Sequence, residues 1–226
     1  MDNSCINIAI ANGHSLVRDS ISRALAAEAR FNIYITAGNG RDLIDAIATA
    51  PQPPDVCVLD VQMQEMNGYE TMDILHERWP ELKVLVLSAL DDDFAVKTML
   101  NLGAISYLGK DSSMQELQKA LFSIHKTGNY YSAIMSRVSG SEKDKQLCID
   151  EQEYAYLKYC HTEMTAKEIA GILDVSPAAV NSCRRSLFGK LKVSTRQGLA
   201  IFALKTGIIA LGDVKAGSRS SRLPVI

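Results

Sequence analysis

Three polar side chains close three apolar runs. Asp60 follows Val56-Cys-Val-Leu59, Ser88 ends Leu82-Lys-Val-Leu-Val-Leu87, and Lys110 comes just after Ala104-Ile-Ser-Tyr-Leu108. Short, nearly all-apolar runs suit strands buried on both faces of a parallel sheet. The functional crevice of such a sheet lies at the carboxyl ends of its strands. A carboxylate, a hydroxyl and an ammonium meeting there suit a nucleophilic acid that accepts a phosphoryl group. The hydroxyl and the amine would then hold the new phosphate oxygens. Three unrelated loop residues satisfy the same pattern, and Asp60 alone could cap a turn.

The rest of the amino-terminal half reads as scaffolding for that edge. Strands are expected at Cys5–Ala11, Phe31–Ala37, Val56–Gln62, Leu82–Ser88 and Ala104–Leu108. Helical spacing of apolar residues follows each, over about 14–29, 41–50, 68–79, 91–102 and 112–126. Five strand–helix alternations in about 126 residues predict an α/β fold, a flavodoxin-like doubly wound parallel sheet of five strands. From Thr127 the pattern fades. Ser139-Gly-Ser-Glu-Lys-Asp-Lys-Gln146 is polar, so a linker is expected over 128–147. Helical patches then fall at about 151–160, 165–173, 177–191 and 195–206, a small all-α domain of four helices. The expected division is 1–127, linker 128–147, a helical domain at 148–212, and an unpatterned tail over 213–226, either a disordered end or a remnant of expression.

Composition bounds the function. Of the 226 residues 47% are apolar and 22% charged, enough for a packed core. No apolar run is long enough for a membrane span and the amino terminus has no signal pattern, so the cytosol is the expected compartment. Five scattered cysteines form no C-x-x-C pair, and the four histidines are isolated, so neither disulfides nor a metal cluster is expected. Charge is uneven. Residues 1–126 hold 10 Lys/Arg against 17 Asp/Glu, and residues 149–226 hold 11 against 7. An acidic half joined to a basic half suggests a polyanion partner for the second.

The motifs Asp60-x-x-Met63-x-x-x-x-Gly68, Ser88-Ala89 and Gly103-Ala104-x-x-Tyr107-Leu108-x-Lys110-Asp111 resemble the receiver domain of bacterial response regulators over residues 5–127. The resemblance implies that Asp60 is the phosphoryl acceptor, Ser88 and Tyr107 the switch pair, and Lys110 the phosphate-binding amine. After the first strand such receivers usually carry two adjacent acids, which hold the divalent cation, then His-Pro-Leu-Val-Arg. This chain reads Asn12-Gly13-His14-Ser15-Leu16-Val17-Arg18, so both acids are missing. Mg²⁺ wants near-octahedral oxygen ligands including carboxylates. Each lost carboxylate removes about 3 kcal/mol of attraction per unit charge of the cation at about 5 Å and an effective dielectric of about 20. Mg²⁺ binding, and with it ordinary phosphorylation of Asp60, is therefore not expected, and Lys110 is free to pair with Asp60 directly. Gln64, where the family usually has Pro, is a second departure.

In the helical half, Thr165 and Glu168 fit a capping box, and Ser176-Pro177 fit the start of a second helix. Helix, short turn and a basic second helix is the plan of a helix–turn–helix. A dimerisation bundle with a solvated basic face would read similarly. The motifs Ile149-Asp-x-x-Glu153-x-x-x-Leu157, Lys167-Glu168-Ile169-Ala170, Val175-Ser176, Val180, Leu191-x-Val193 and Ala203-x-x-x-Gly207-Ile208-Ile209 resemble the LuxR-type DNA-binding domain over 148–211, and the whole chain resembles the NarL/FixJ subfamily. By position the resemblance implies that Asn181, Ser182 and Arg185 meet base edges, while Lys167, Arg184, Lys190 and Lys192 meet phosphates. Ala179 and Cys183 stand where Thr and His are usual, which would alter sequence preference.

The expectation is a dimeric transcription factor that binds double-stranded DNA. It would not be an enzyme, would need no cofactor, and could take a sensor kinase or another regulatory protein as partner. A phosphorylation-switched regulator with unusual metal ligands and a protein-docking adaptor that does not use DNA remain the other readings.

Overall fold

In the computed structural model, residues 5–139, 149–209 and 212–213 are described. The chain divides into two compact units, Met1–Ser141 and Glu142–Ile226. No described helix is long and apolar enough to cross a membrane.

The first unit alternates strand and helix. Its elements are β1 (Ile6–Ala11), α1 (Ser15–Ala26), β2 (Phe31–Ala37), α2 (Gly40–Thr49), β3 (Val56–Leu59), α3 (Gly68–Arg78), β4 (Lys83–Ser88), α4 (Asp93–Asn101), β5 (Ser106–Gly109) and α5 (Met114–Thr127). The five strands lie in the order β2-β1-β3-β4-β5, and every pairing is parallel. The expected doubly wound fold is present. Strands β3 and β5 are buried at every residue, which is why the sequence shows apolar runs there and not an alternation. α1 and α5 pack on one face over Ile8, Ile10, Val58, Leu85 and Leu108. α2, α3 and α4 form a second consecutive row.

Helix starts are set by side-chain caps. Asn39, Asn67, Asp92 and Ser113 each accept from a backbone N–H of the first turn, and Asn67 with Glu70 forms a full capping box. Gly68 opens α3 directly beneath the site strand. A Cβ there would lie 2.6 Å from the Asp60 carbonyl oxygen, so only glycine lets α3 approach the end of β3 this closely.

One expectation needs correction. Residues 133–139, placed in the linker, form a further helix, α6 (Ala133–Ser139), that packs on α4 and β5. Met135 and Val138, three apart, are buried, and two positions are too few to show as a period in sequence. The remainder of that linker up to residue 147, and the tail expected over 213–226 apart from Asp213, lie outside the described residues.

The second unit is helical: α7 (Glu151–Tyr159), α8 (Ala166–Ile172), α9 (Pro177–Leu191) and α10 (Arg196–Lys205). Thr165 and Glu168 form the capping box at α8, and Ser176 caps α9 with Pro177 at its first position. Leu157, Ile169, Val180, Leu187 and Leu199, one or more from each helix, make the core.

Candidate functional site

At the carboxyl edge of the sheet, Asp60 follows β3 and its N–H donates to the carbonyl of Ala11, which ends β1. That pairing sets Asn12 and Gly13 beside it. The Asp60 side chain is fully enclosed, and its Oδ2 lies 2.6 Å from Lys110 Nζ at the end of β5. The Gln62 N–H donates to Oδ1 at 3.3 Å. Burial pushes the Asp60 carboxyl above the usual carboxylate range, and the Lys110 ammonium opposes that shift. The direct pairing of Lys110 with Asp60 foreseen from the sequence is present.

Ser88 and Tyr107 meet at Leu90, and the Lys110 N–H donates to the Ser88 carbonyl at 2.9 Å. The Tyr107 hydroxyl donates to the Leu90 carbonyl at 2.6 Å, and the Leu90 N–H donates to Ser88 Oγ at 3.2 Å. Burial pushes the Tyr107 phenol up. Both side chains are fully buried.

The donor set does not suit a divalent cation. Asn12 is buried and spends its side-chain oxygen on the His14 N–H, 2.9 Å away, in a local turn. Gly13 has no side chain, and a Cβ there would sit 3.0 Å from the Gln62 carbonyl oxygen. One carboxylate, already ion-paired, with an amide and a glycine, lacks the charge that Mg²⁺ needs. No group of three potential metal ligands occurs among the described residues.

In the second unit, α8, a turn and α9 make a helix–turn–helix. The Val175 N–H donates to the Ala170 carbonyl, and Asp174 takes the left-handed conformation (φ 51°) that closes the turn. α9 buries Val180 and Leu187 and leaves Ser182 and Arg185 exposed. Asn181 is half-buried, and its amide donates to the Pro177 carbonyl at 3.0 Å. Lys167 and Lys192 are exposed. Arg184 is half-buried, and its Nε is enclosed with no hydrogen-bond partner.

Two family models match the chain. The response regulator receiver domain matches residues 8–122, about half of the chain, and the luxR family of bacterial regulatory proteins matches residues 151–203. The chain belongs to the response regulators. Its carboxy-terminal unit is a LuxR-type helix–turn–helix. Transcriptional regulatory protein DegU of Brevibacillus brevis is 26% identical over 224 residues, covering 89% of this chain and 94% of that protein. The DNA-binding transcriptional activator DevR/DosR of Mycobacterium tuberculosis is 28% identical over 206 residues, covering 88% and 94%. RcsB from Salmonella enterica serovar Typhimurium, solved bound to promoter rprA with the phosphomimetic BeF3-, shares the fold with a TM-score of 0.67 at 19% identity, covering 87% and 98%.

Within this response regulator, the receiver brings Asp60 and Lys110 together and joins Ser88 and Tyr107 through Leu90. Lys190 departs from the role its position implied. Its Nζ lies 2.6 Å from Glu153 Oε2, and the Glu153 side chain is only 2% exposed. Burial works to raise the Glu153 carboxyl, but hydrogen bonds from Lys190 and Ser186 outweigh it and leave the group below the usual range. Lys190 thus ties α9 to α7. Glu153 also closes a capping box with Asp150 at the start of α7, a signal present in the sequence as Asp-x-x-Glu.

Arg196 was absent from the sequence-based set. Its guanidinium donates to the carbonyls of Tyr159, Cys160 and Met164 and to Thr162 Oγ1, so it fastens the turn between α7 and α8 from the start of α10. Nothing local announces this, because the partners lie 32 to 37 residues away.

Proposed function

We propose that this response regulator is a dimeric transcription factor of the cytosol that reads double-stranded DNA through α9, and that its receiver is not switched by Mg²⁺-dependent phosphorylation of Asp60. Asn181, Ser182 and Arg185 are the base-reading side chains, and Lys167, Arg184 and Lys192 the phosphate contacts. Lys190 joins this set as a positioning residue because its ammonium is engaged by Glu153. Ile201, 54% exposed on α10, supports pairing of two such domains over two half-sites.

For the receiver, the enclosed Asp60–Lys110 ion pair carries the proposal. A phosphoryl group on Asp60 would consume the charge that Lys110 pairs with, without an acidic pair that would hold a cation to offset the incoming charge. This is an atypical receiver without the acidic pair, held by its own ion pair. Incubation with acetyl phosphate and Mg²⁺, followed by intact-mass measurement, should leave the mass unchanged. A stoichiometric gain of about 80 Da, abolished in Asp60→Ala, would favour an orthodox phosphorylation switch. Binding to duplex DNA should weaken steeply as salt rises, through the counterions that phosphate contacts release. Salt-insensitive or absent binding would favour a protein-docking adaptor.

A further inference from the structure

α6 is short, yet it is fastened at both ends to the cluster around Tyr107. At its start Ser132 is buried. Ser132 Oγ accepts the Met135 N–H at 3.3 Å as a helix cap and donates to the Tyr107 carbonyl at 2.6 Å. In the middle, Met135 and Val138 are buried, and Met135 Sδ accepts the Ser106 hydroxyl at 3.8 Å. Towards its end, Arg137 reaches back to the loop between β4 and α4. It pairs with Asp91 Oδ2 at 3.4 Å and donates to the Asp91 carbonyl.

These anchors fall on both sides of one hydrogen bond. Tyr107, whose carbonyl α6 holds through Ser132, reaches with its hydroxyl to the Leu90 carbonyl, and Asp91, the next residue, is what α6 holds through Arg137. Leu90 is also tied to Ser88. The β4–α4 loop therefore cannot shift without stretching either the Tyr107–Leu90 bond or the Arg137–Asp91 pair. The same helix ends at Ser139, within the first unit.

We infer that α6 is a latch: its docking on α4 and β5 is coupled to the position of the β4–α4 loop, so that displacement of the loop releases α6. The latch makes no use of the Asp60–Lys110 pair. A receiver whose carboxylate is locked can still pass on a signal, provided that a partner moves the loop. Coupling of this kind is reciprocal, so freeing α6 must also loosen the loop. The inference concerns the receiver alone and stands whether or not the second unit reads DNA.

Hydrogen exchange of the full chain, followed by mass spectrometry, tests it. Arg137→Asp and Asp91→Arg each turn one attraction into a repulsion. Each should speed exchange in α6 and around Leu90 together, by about three- to fivefold as suits an exposed ion pair. The double variant should recover at least half of that change in both places. Faster exchange in α6 with the loop unchanged would overturn the latch, as would a double variant no better than the singles. Ser132→Ala acts through the buried anchor and adds no charge. It should loosen the same two segments while exchange in β1 and β3 stays as in the wild type. If the β1 and β3 amides also speed up in the charge variants, the Ser132→Ala result decides, and an unchanged loop there sinks the proposal.

Discussion

Asp60 and Lys110 sit where an unpaired charge is costly, and each makes the other tolerable. The Asp60 side chain is fully enclosed and Lys110 is largely so, with 18% of its side chain exposed. Removing one partner of such a pair strands the other, at a typical cost of about 3–5 kcal/mol, while replacing both is often neutral. Lys110→Met should lower unfolding stability in urea by about 3 kcal/mol at neutral pH, and Asp60→Asn/Lys110→Met should restore most of it. The pH dependence has a defined sign. Burial raises the folded-state carboxyl of Asp60 above its unfolded value. Its contribution to stability is then fully present below the unfolded value and lost as pH rises through the folded one. The stability difference between wild type and Asp60→Asn should therefore move in favour of wild type as pH falls through that window. Sequence could name both residues by their place at strand ends. It could also show Asn12 and Gly13 after the first strand, but not that the Asn12 side-chain oxygen would accept from the His14 N–H.

Among the elements, α9 shows how a recognition helix is held. Ser176 and Pro177 start it, Glu153 grips it near its end through Lys190, and Lys192 stops it. Lys192 takes the left-handed conformation (φ 52°), where most helices use glycine. An L side chain costs roughly 1–2 kcal/mol there, partly recovered by its lower unfolded-state entropy. Lys192→Gly should raise the melting stability of the full chain by about 1 kcal/mol. On the proposed role of Lys192 as a phosphate contact, it should weaken DNA binding at the same time. Caps of this kind were readable at α8 and α9, where Thr-x-x-Glu and Ser-Pro stand next to clear apolar periods, but the stop at Lys192 was not. α6 was not readable. Seven residues with two buried apolar positions look like linker until β5 and α4 are there to receive them.

For the whole molecule, an acidic receiver half is joined to a basic helical half. Charges that position on DNA and charges that specify should separate in a titration. Lys167→Ala should lower affinity nearly equally on all sequences and reduce the slope of log affinity against log salt by about 1 per bound protomer. Arg185→Ala should cost about 1–3 kcal/mol on the preferred site and flatten the preference among bases. Equal losses on specific and random duplexes for both variants would remove Arg185 from the reading set.

The order of the elements, the two-part plan and the edge of the sheet that matters follow from local pattern alone. Apolar runs, helical periods and caps are short-range physics, and each is complete within about fifteen residues. Asn12 and Gly13, neither of them an acid, are likewise a plain fact of the chain. Contacts across long separations are not. Lys110 meets Asp60 across 50 residues, Lys190 meets Glu153 across 37, and Arg137 meets Asp91 across 46. Each pairing exists because strand order and helix packing bring those backbones within side-chain reach. Folding thus ties Lys190 of α9 to Glu153 of α7, and turns a stretch expected as linker into a helix docked beside Tyr107.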